Sequence, residues 1–371
     1  MKVLLIAHDT EMTSGWGRHA RKIMEAYDTL GIEYHILTEK GTRPVQAQEN
    51  ALLSPRDSLV ALMRNILRVR RASAGYDVVH ALDVWPYGLY AFAAVVGRKS
   101  ALFLCGIGTY SVAPLYQPVK RLMLTRVFAR TKKIFCISGY TMREMIRAMP
   151  ALSEKAVVVH LGATTLPTPS REDVERVRMR YGIDGSPIVL SVGAIKERKG
   201  QFDTLQAIAL LKKQYPSIMY IAVGSARDHH YVERMRGYSR ERALENNLRI
   251  IDTVETDRDL AALYSLCDVF ALNSKNDSAE RHFEGFGLVF LEAYQFGKSV
   301  VGSRDCGIED AIEDGVTGYL CDQGDISDIS AKISEILVRG PKTFDKDIQT
   351  FRKQFTWAKA AQTYIHYYQT K

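Results

Sequence analysis

IVLSVGAIKERKG, residues 188–200, joins an uncharged run rich in β-branched residues to a basic loop bounded by two glycines. The run from Ile188 to Val192 reads as a strand buried on both faces, the kind found in a parallel sheet. The loop behind it carries Lys196, Arg198 and Lys199. Ligands of open α/β sheets bind beyond the carboxyl ends of the strands, so this loop stands where an anion would meet the fold.

Working outward, similar runs recur with helical stretches between them, in two sets. The first is VLLIAH (3–8), YHILT (34–38), VVHAL (78–82), ALFLC (101–105), KIFCIS (133–138) and VVVHLG (157–162). The second is IVLSVG (188–193), MYIAVG (219–224), LRIID (248–252), VFALNS (269–274), SVVGS (299–303) and TGYLCD (317–322). Between the sets lies ATTLPTPSRED (163–173), whose prolines and polar residues read as a linker. A chain of 371 residues also exceeds the usual size of a single core. The expectation is α/β, with two Rossmann-like domains at 1–168 and 169–353. The aromatic, amphipathic stretch FTWAKAAQTYIHYYQ (355–369) should pack as a helix on a domain surface.

With 46% hydrophobic and 25% charged residues, the chain resembles neither a disordered nor a fibrous protein. No apolar run approaches the roughly 18 residues of a membrane span. MKVLLIAH has an apolar run too short for a signal peptide and reads as a first buried strand. Five cysteines without a CxxC pair suit reduced thiols and a cytoplasmic location. The net charge of +8 is uneven: residues 51–150 hold 15 Lys and Arg against four acids, an excess of +11. Such a zone attracts anionic lipid, nucleic acid or phosphate, and equally serves as a solvated face. It is not interleaved with any recognised nucleic-acid module, so no nucleic-acid partner is expected.

EGFGLVFLEA (284–293) carries the chemistry. The turn Gly285-Phe286-Gly287 leads into good helix formers, so a helix should start near Leu288 with unpaired amides that favour an anion. Glu284 and Glu292 flank that start, about 12 Å apart if the whole stretch were helical. A carboxylate accepts hydrogen bonds from hydroxyls, so Glu284 suits a sugar and Glu292 a ribose on either side of a diphosphate. Taken alone, the same residues read as a surface helix with an acidic start. Arg198 and Lys199 would neutralise the diphosphate.

These residues resemble the retaining GT-B glycosyltransferases of glycosyltransferase family 4, over most of the chain and most closely from 188 to 320. Glu284 and Glu292 are similar to the family's Glu-x7-Glu signature, KERKG to its basic loop, and SGWGRH, with Gly15 and Gly17, to its glycine-rich N-terminal loop. The resemblance implies two domains facing across a central cleft, with the chain after about 354 completing the first domain. It also implies catalytic roles for Glu284, Lys199 and Arg198. Donor contacts would come from Gly15, Gly17, Arg198, Lys199, Glu284, Gly285, Phe286, Gly287, Leu288 and Glu292, with Val254 in DTVET (252–256) at the base. Arg18, His19 and Thr109 are expected on the acceptor side.

Two positions depart from the family pattern. Ala194 stands where an arginine is common, and Arg198 is expected to take over. Ile107 stands where histidine often precedes a Gly-Thr-Tyr-like turn. In a front-face retaining reaction the departing phosphate receives the acceptor proton, so Ile107 is tolerable. Asp257-Arg258-Asp259 and Asp345-Lys346-Asp347 read as solvated acids, and His229-His230 has no third ligand beside it, so no metal or other cofactor is expected. His80 and His160, at strand ends, read as structural histidines.

The expected function is metal-independent, retaining transfer of a sugar from a nucleoside diphosphate sugar to a hydroxyl acceptor, with lipid-linked or cell-envelope glycans among the candidates. The alternatives are a silent sugar-nucleotide-binding protein or another GT-B enzyme such as an epimerase. PLYQPVKRLMLTRVFARTKK (114–133) suggests peripheral docking on the inner face of an anionic membrane. Leu122, Met123, Val127 and Phe128 would meet lipid there, and Lys120, Arg121 and Arg130 headgroups. The same apolar residues could equally face the core.

Overall fold

The computed structural model describes residues 1–12, 15–39, 46–54, 58–340 and 343–370. Ser14 of the first glycine motif, Arg56 of the basic stretch and Lys371 lie outside them. The chain divides into two compact units, Met1–Gly162 with Thr356–Lys371, and Ala163–Phe355. The expected divisions were 168/169 and about 353/354.

In the first unit β1 (Lys2–Ile6), β2 (Glu33–Glu39), β3 (Glu49–Leu53), β4 (Val78–Ala81), β5 (Ala101–Gly106), β6 (Thr131–Cys136) and β7 (Ala156–Val158) form one sheet. Its order is β3-β2-β1-β4-β5-β6-β7, with every pair parallel. Val3 to Ile6 are wholly buried, as a central parallel strand requires. The sequence reading gave this sheet six strands and missed β3. ENALL has helix-forming residues and no β-branching, and as an edge strand it is held by pairing with β2 alone. Glu49 is buried there against Arg21 at 2.7 Å and Thr10 at 2.6 Å.

The helices of this part are α1 (Gly15–Thr29), α2 (Leu59–Ala72), α3 (Tyr87–Val95), α4 (Thr109–Val112), α5 (Pro118–Arg130) and α6 (Gly139–Ala148). On α5 the structure corrects the expected lipid-facing set. Val127 and Phe128 are buried with Leu124, whereas Val119 and Leu122 are exposed. Arg121 donates to the carbonyls of Leu115 and Ala148, and Arg130 to those of Arg98 and Ser100, so both are occupied in holding the fold.

In the second unit β8 (Ile188–Val192), β9 (Met219–Val223), β10 (Leu248–Ile251), β11 (Val269–Leu272), β12 (Ser299–Ser303) and β13 (Gly318–Cys321) form a sheet of order β10-β9-β8-β11-β12-β13. Around it are α7 (Arg171–Arg180), α8 (Gln201–Leu211), α9 (His229–Glu241), α10 (Asp257–Leu266), α11 (Leu288–Gln295), α12 (Ile326–Arg339) and α13 (Asp345–Arg352). The chain builds outward from β8 through β9 to β10, then returns to lay β11 on the other side. The switch point, where ligands favour such sheets, therefore falls between β8 and β11. Asp259, read above as a solvated acid, is buried and holds Arg176 of α7 at 2.7 Å, because it sits on the inner face of α10.

The last helix, α14 (Trp357–Gln369), belongs to the first unit. It buries Tyr364 and Tyr368. Tyr368 Oη lies 2.6 Å from His80 Nδ1 and 2.7 Å from Tyr27 Oη. His80 Nε2 is 3.1 Å from Cys105 Sγ, and burial lowers its pKa well below the usual value. His80 is thus a core histidine with both nitrogens occupied. All five cysteines are free and buried.

Candidate active site

The loop after β8 and the segment after β11 bring three of the expected residues together. Lys199 Nζ donates to Glu284 Oε2 at 2.6 Å, and Arg198 reaches the same oxygen at 3.4 Å. The Ser274 hydroxyl donates to it at 3.3 Å. Burial pushes the Glu284 carboxyl up, but the Lys199 and Arg198 charges, with the hydrogen bonds from Lys199 and Ser274, more than reverse this and hold it at about 2. Burial lowers Lys196, and repulsion from Arg198 and Lys199 lowers it further, against the pull of Glu284. Positive charge from Lys196, Arg198 and Lys199 is thus gathered at the switch point around the ionised Glu284 carboxylate.

Close backbone approach builds this geometry. Gly200 has φ 67°, and a Cβ there would stand 1.8 Å from the Asn273 carbonyl oxygen, so only glycine lets the β8 loop meet the β11 segment. Lys275 N–H donates to the Arg198 carbonyl at 2.8 Å, while its ammonium reaches Glu197 and Asp203 at 3.1 Å each. Arg234 also donates to Glu197. The Gly307 N–H donates to the Glu284 carbonyl at 2.8 Å, and a Cβ on Gly307 would stand 2.0 Å from the Gly285 oxygen.

Glu284 leads through Gly285 and Phe286 to Gly287, in the left-handed region at φ 91°, and α11 begins at Leu288 with no side chain capping it. That uncapped end follows directly from the carboxylate that binds both cations. Phe286 is 2% exposed and packs 5.7 Å from Phe355, so its ring is core and only its backbone can meet a ligand. Glu292 is also buried, and the Tyr264 hydroxyl of α10 donates to its Oε2 at 3.0 Å. Val254 lies half-buried in the loop after β10, two strands from β8 in the sheet.

The remaining expected residues belong to the first unit. Gly15 and Gly17 lie in the first turn of α1 rather than in a loop. A Cβ on Gly17 would stand 1.9 Å from Asp9 Oδ1 and 2.1 Å from the Glu11 carbonyl oxygen, so this glycine lets α1 seat against residues 9–11. Arg18 reaches the Met12 carbonyl at 3.5 Å. His19, expected on the acceptor side, is instead core. It is 2% exposed, stacks on Trp357 at 6.0 Å and lies 3.4 Å from Tyr364 Oη. Burial lowers its pKa to about 4. The reason is helical phase: His19 falls on the face of α1 that also buries Ala20, Ile23 and Met24. Thr109 is buried at the start of α4, and the Ile107 N–H donates to Ser111 Oγ at 2.9 Å.

Sequence reading missed Ser274, Tyr264, Lys275 and Gly307. NSKND does mark the loop after β11, and it contains Ser274 and Lys275. Tyr264 and Gly307 carry no local signal, since their partners are distant in the chain. Among the described residues no group of three or more His, Cys, Asp or Glu could hold a metal ion, and no helix is long and apolar enough to cross a membrane.

The basic loop and the carboxylate thus stand at the switch point of a parallel sheet, beside a helix start with no side-chain cap, where open α/β sheets favour anionic ligands. Residues 14–162 match the family described as Glycosyl transferase 4-like domain, and residues 173–350 the family described as Glycosyl transferases group 1. The chain belongs to the GT-B glycosyltransferases of the family 4 type. It is 27% identical over 223 residues to a protein of Mycolicibacterium smegmatis named GDP-mannose-dependent alpha-(1-6)-phosphatidylinositol monomannoside mannosyltransferase, covering 59% of this chain and 56% of that one. The protein of the same name in Mycobacterium tuberculosis is 25% identical over 279 residues, covering 73% and 70%. A glycosyltransferase structure from Rickettsia africae superimposes with a TM-score of 0.81 at 17% identity, covering 99% of this chain and 97% of that one, which shows the shared fold.

Proposed function

We propose that the chain is a metal-independent retaining glycosyltransferase that moves a sugar from a nucleoside diphosphate sugar to a hydroxyl acceptor. The observation that carries this reading is the convergence of Lys199 and Arg198 on Glu284, immediately before the uncapped start of α11. A diphosphate offers these cations the same kind of anionic oxygen as the carboxylate does, with more charge. In the proposed complex its oxygens take Lys199, Arg198 and the first amides of α11. Glu284 then accepts from sugar hydroxyls and Glu292, held by Tyr264, from the ribose.

In the proposed reaction the bond from the anomeric carbon to the diphosphate oxygen breaks and a bond to the acceptor oxygen forms on the same face. The acceptor proton passes to the departing diphosphate. Lys199 and Arg198 stabilise the charge that develops there, the part a divalent cation plays in other transferases. The names of the two mycobacterial relatives support a lipid-linked acceptor. Five buried free thiols fit a reducing compartment such as the cytoplasm.

A thermal-shift panel of nucleoside diphosphates and their sugars tests the reading and identifies the donor, since a ligand of the folded state raises stability as RT ln(1 + [L]/Kd). One base should stabilise the protein, and turnover with that donor should survive EDTA and retain the anomeric configuration. Stabilisation by none of them would refute the assignment.

A further inference from the structure

The turn that presents Arg198 and Lys199 begins with an acid. Glu197–Lys199 is one turn of 3-10 helix, and the Lys199 N–H closes it on the Lys196 carbonyl at 2.9 Å. Arg198 and Lys199 send their side chains to Glu284, whereas Glu197 sends its own to two other cations. Arg234 of α9 donates to Glu197 Oε2, and Lys275 Nζ donates to Oε1 at 3.1 Å. The carboxylate is thus held at both oxygens by side chains from two other parts of the fold. Burial pushes the Glu197 carboxyl up, but Lys275 and Arg234 more than reverse this, so it is ionised at neutral pH.

Each of those cations is itself fixed. The Arg234 guanidinium lies over the Phe202 ring at 4.4 Å and the Tyr231 ring at 4.9 Å, and the Tyr231 hydroxyl accepts from the Phe202 N–H at 2.8 Å. These contacts tie the first turn of α9 to the first turn of α8, which leaves the basic loop at Gly200. Lys275 is shared with the buried Asp203 of α8, also at 3.1 Å, and its N–H donates to the Arg198 carbonyl at 2.8 Å. Charges therefore alternate along Arg234, Glu197, Lys275 and Asp203, from α9 through the basic loop and the segment after β11 to α8.

Stability alone does not account for this arrangement. Arg234 and Glu197 expose 40% and 53% of their side chains, and ion pairs so exposed add little to folding. A carboxylate beside two phosphate-binding cations also repels the phosphate they bind. Its place in the loop makes sense as an anchor whose charge is neutralised from behind. We propose that Arg234 and Lys275 are positioning residues of the diphosphate site: through Glu197 they hold the 197–199 turn so that Arg198 and Lys199 face the anion, and neither touches the ligand. The proposal rests on the reading of Arg198 and Lys199 as diphosphate ligands given above.

The test is equilibrium titration of the full chain with uridine, guanosine and adenosine diphosphates and with the matching nucleosides. The proteins are wild type, Arg234→Met, Glu197→Gln, these two combined, and Lys199→Ala. Arg234→Met keeps an aliphatic cover on Phe202 and Tyr231 while removing the charge. Lys275 is left intact, because its loss would strand the buried Asp203 carboxylate. Arg234→Met and Glu197→Gln should each weaken binding of the preferred nucleoside diphosphate about tenfold, the lower end of what losing a ligand-orienting partner costs at metal sites. Binding of the nucleoside should not change, since only the diphosphate meets the oriented cations. The double variant should bind no more weakly than the poorer single one, because the two residues act as a unit. If Lys199→Ala abolishes the preference for the diphosphate while Arg234→Met and Glu197→Gln keep it in full, this proposal alone is overturned. Equal losses for nucleoside and diphosphate, or losses that add in the double variant, would overturn it too. A wild type that binds no nucleoside diphosphate more tightly than its nucleoside, or a Lys199→Ala variant that keeps the preference, would remove the proposed site and this inference with it.

Discussion

Lys199 Nζ and Glu284 Oε2 stand 2.6 Å apart although 85 positions separate them in the chain. The contact exists because β8 and β11 are neighbours across the switch point and Gly200 admits the Asn273 backbone. Each partner is mostly buried, so each is costly without the other. Glu284→Gln should lower turnover about a hundredfold or more, the scale seen when a group that stabilises developing charge is lost. It should also cost about 1–3 kcal/mol of stability through the cations left underpaired. Lys199→Ala added to Glu284→Gln should cost less than the sum of the two, and a double-mutant cycle in urea measures that coupling.

Two acid transitions should separate by residue. Glu284 has a folded pKa of about 2 against 4.5, so its stabilisation is complete above about pH 4.5 and is lost as pH falls towards 2. His19 is buried neutral, with a folded pKa of about 4 against 6.5. The unfolded chain binds the extra proton first, so stability falls as pH drops from 6.5 towards 4. Denaturation of wild type, Glu284→Gln and His19→Leu across this range should make the loss of stability shallower in the lower window for the first variant and in the upper window for the second, the slope that remains belonging in part to His80, which is also buried neutral.

Tyr264 orients Glu292 through a buried hydrogen bond of 3.0 Å. Tyr264→Phe should cost about 1 kcal/mol of stability, the usual net worth of such a bond. It should also raise the KM for the donor with little change in kcat, because the ribose lies away from the bond that breaks. An unchanged donor KM would separate Glu292 from nucleotide recognition.

Gly307 leaves no room for a methyl group, with the Gly285 oxygen 2.0 Å and the Glu284 oxygen 2.7 Å from where Cβ would stand. Both contacts are backbone, so the Glu284–Gly287 segment must move. Gly307→Ala should cost about 1–3 kcal/mol, as overpacking does. It should also weaken nucleoside diphosphate binding, whereas Gly315→Ala, at a turn with open space around it, should lose stability through its φ of 77° yet bind normally.

The sequence made all six strands of the second sheet legible, because parallel strands buried on both faces are written as unbroken apolar runs. It also marked Arg198, Lys199 and Glu284, whose side chains and glycines are concentrated in two short loops. The failures share a different cause. β3 is an edge strand fixed by one neighbour, and the direction of His19 depends on the phase of α1 against α14. On α5, Leu122 is exposed as expected, but Val127 and Phe128 of the same expected face are buried and Val119 is exposed instead, since basic residues surround the helix on several sides and blur its periodicity. Tyr264 and Gly307 act only through tertiary contact, which no local pattern encodes.

The most direct measurement is a crystal structure of the protein with its nucleoside diphosphate sugar. The diphosphate should lie within hydrogen-bond distance of Lys199 Nζ, the Arg198 guanidinium and the amides at the start of α11, with Glu284 turned to the sugar hydroxyls. A diphosphate bound away from Lys199 and α11, with the Lys199–Glu284 pair undisturbed, would contradict the proposed site.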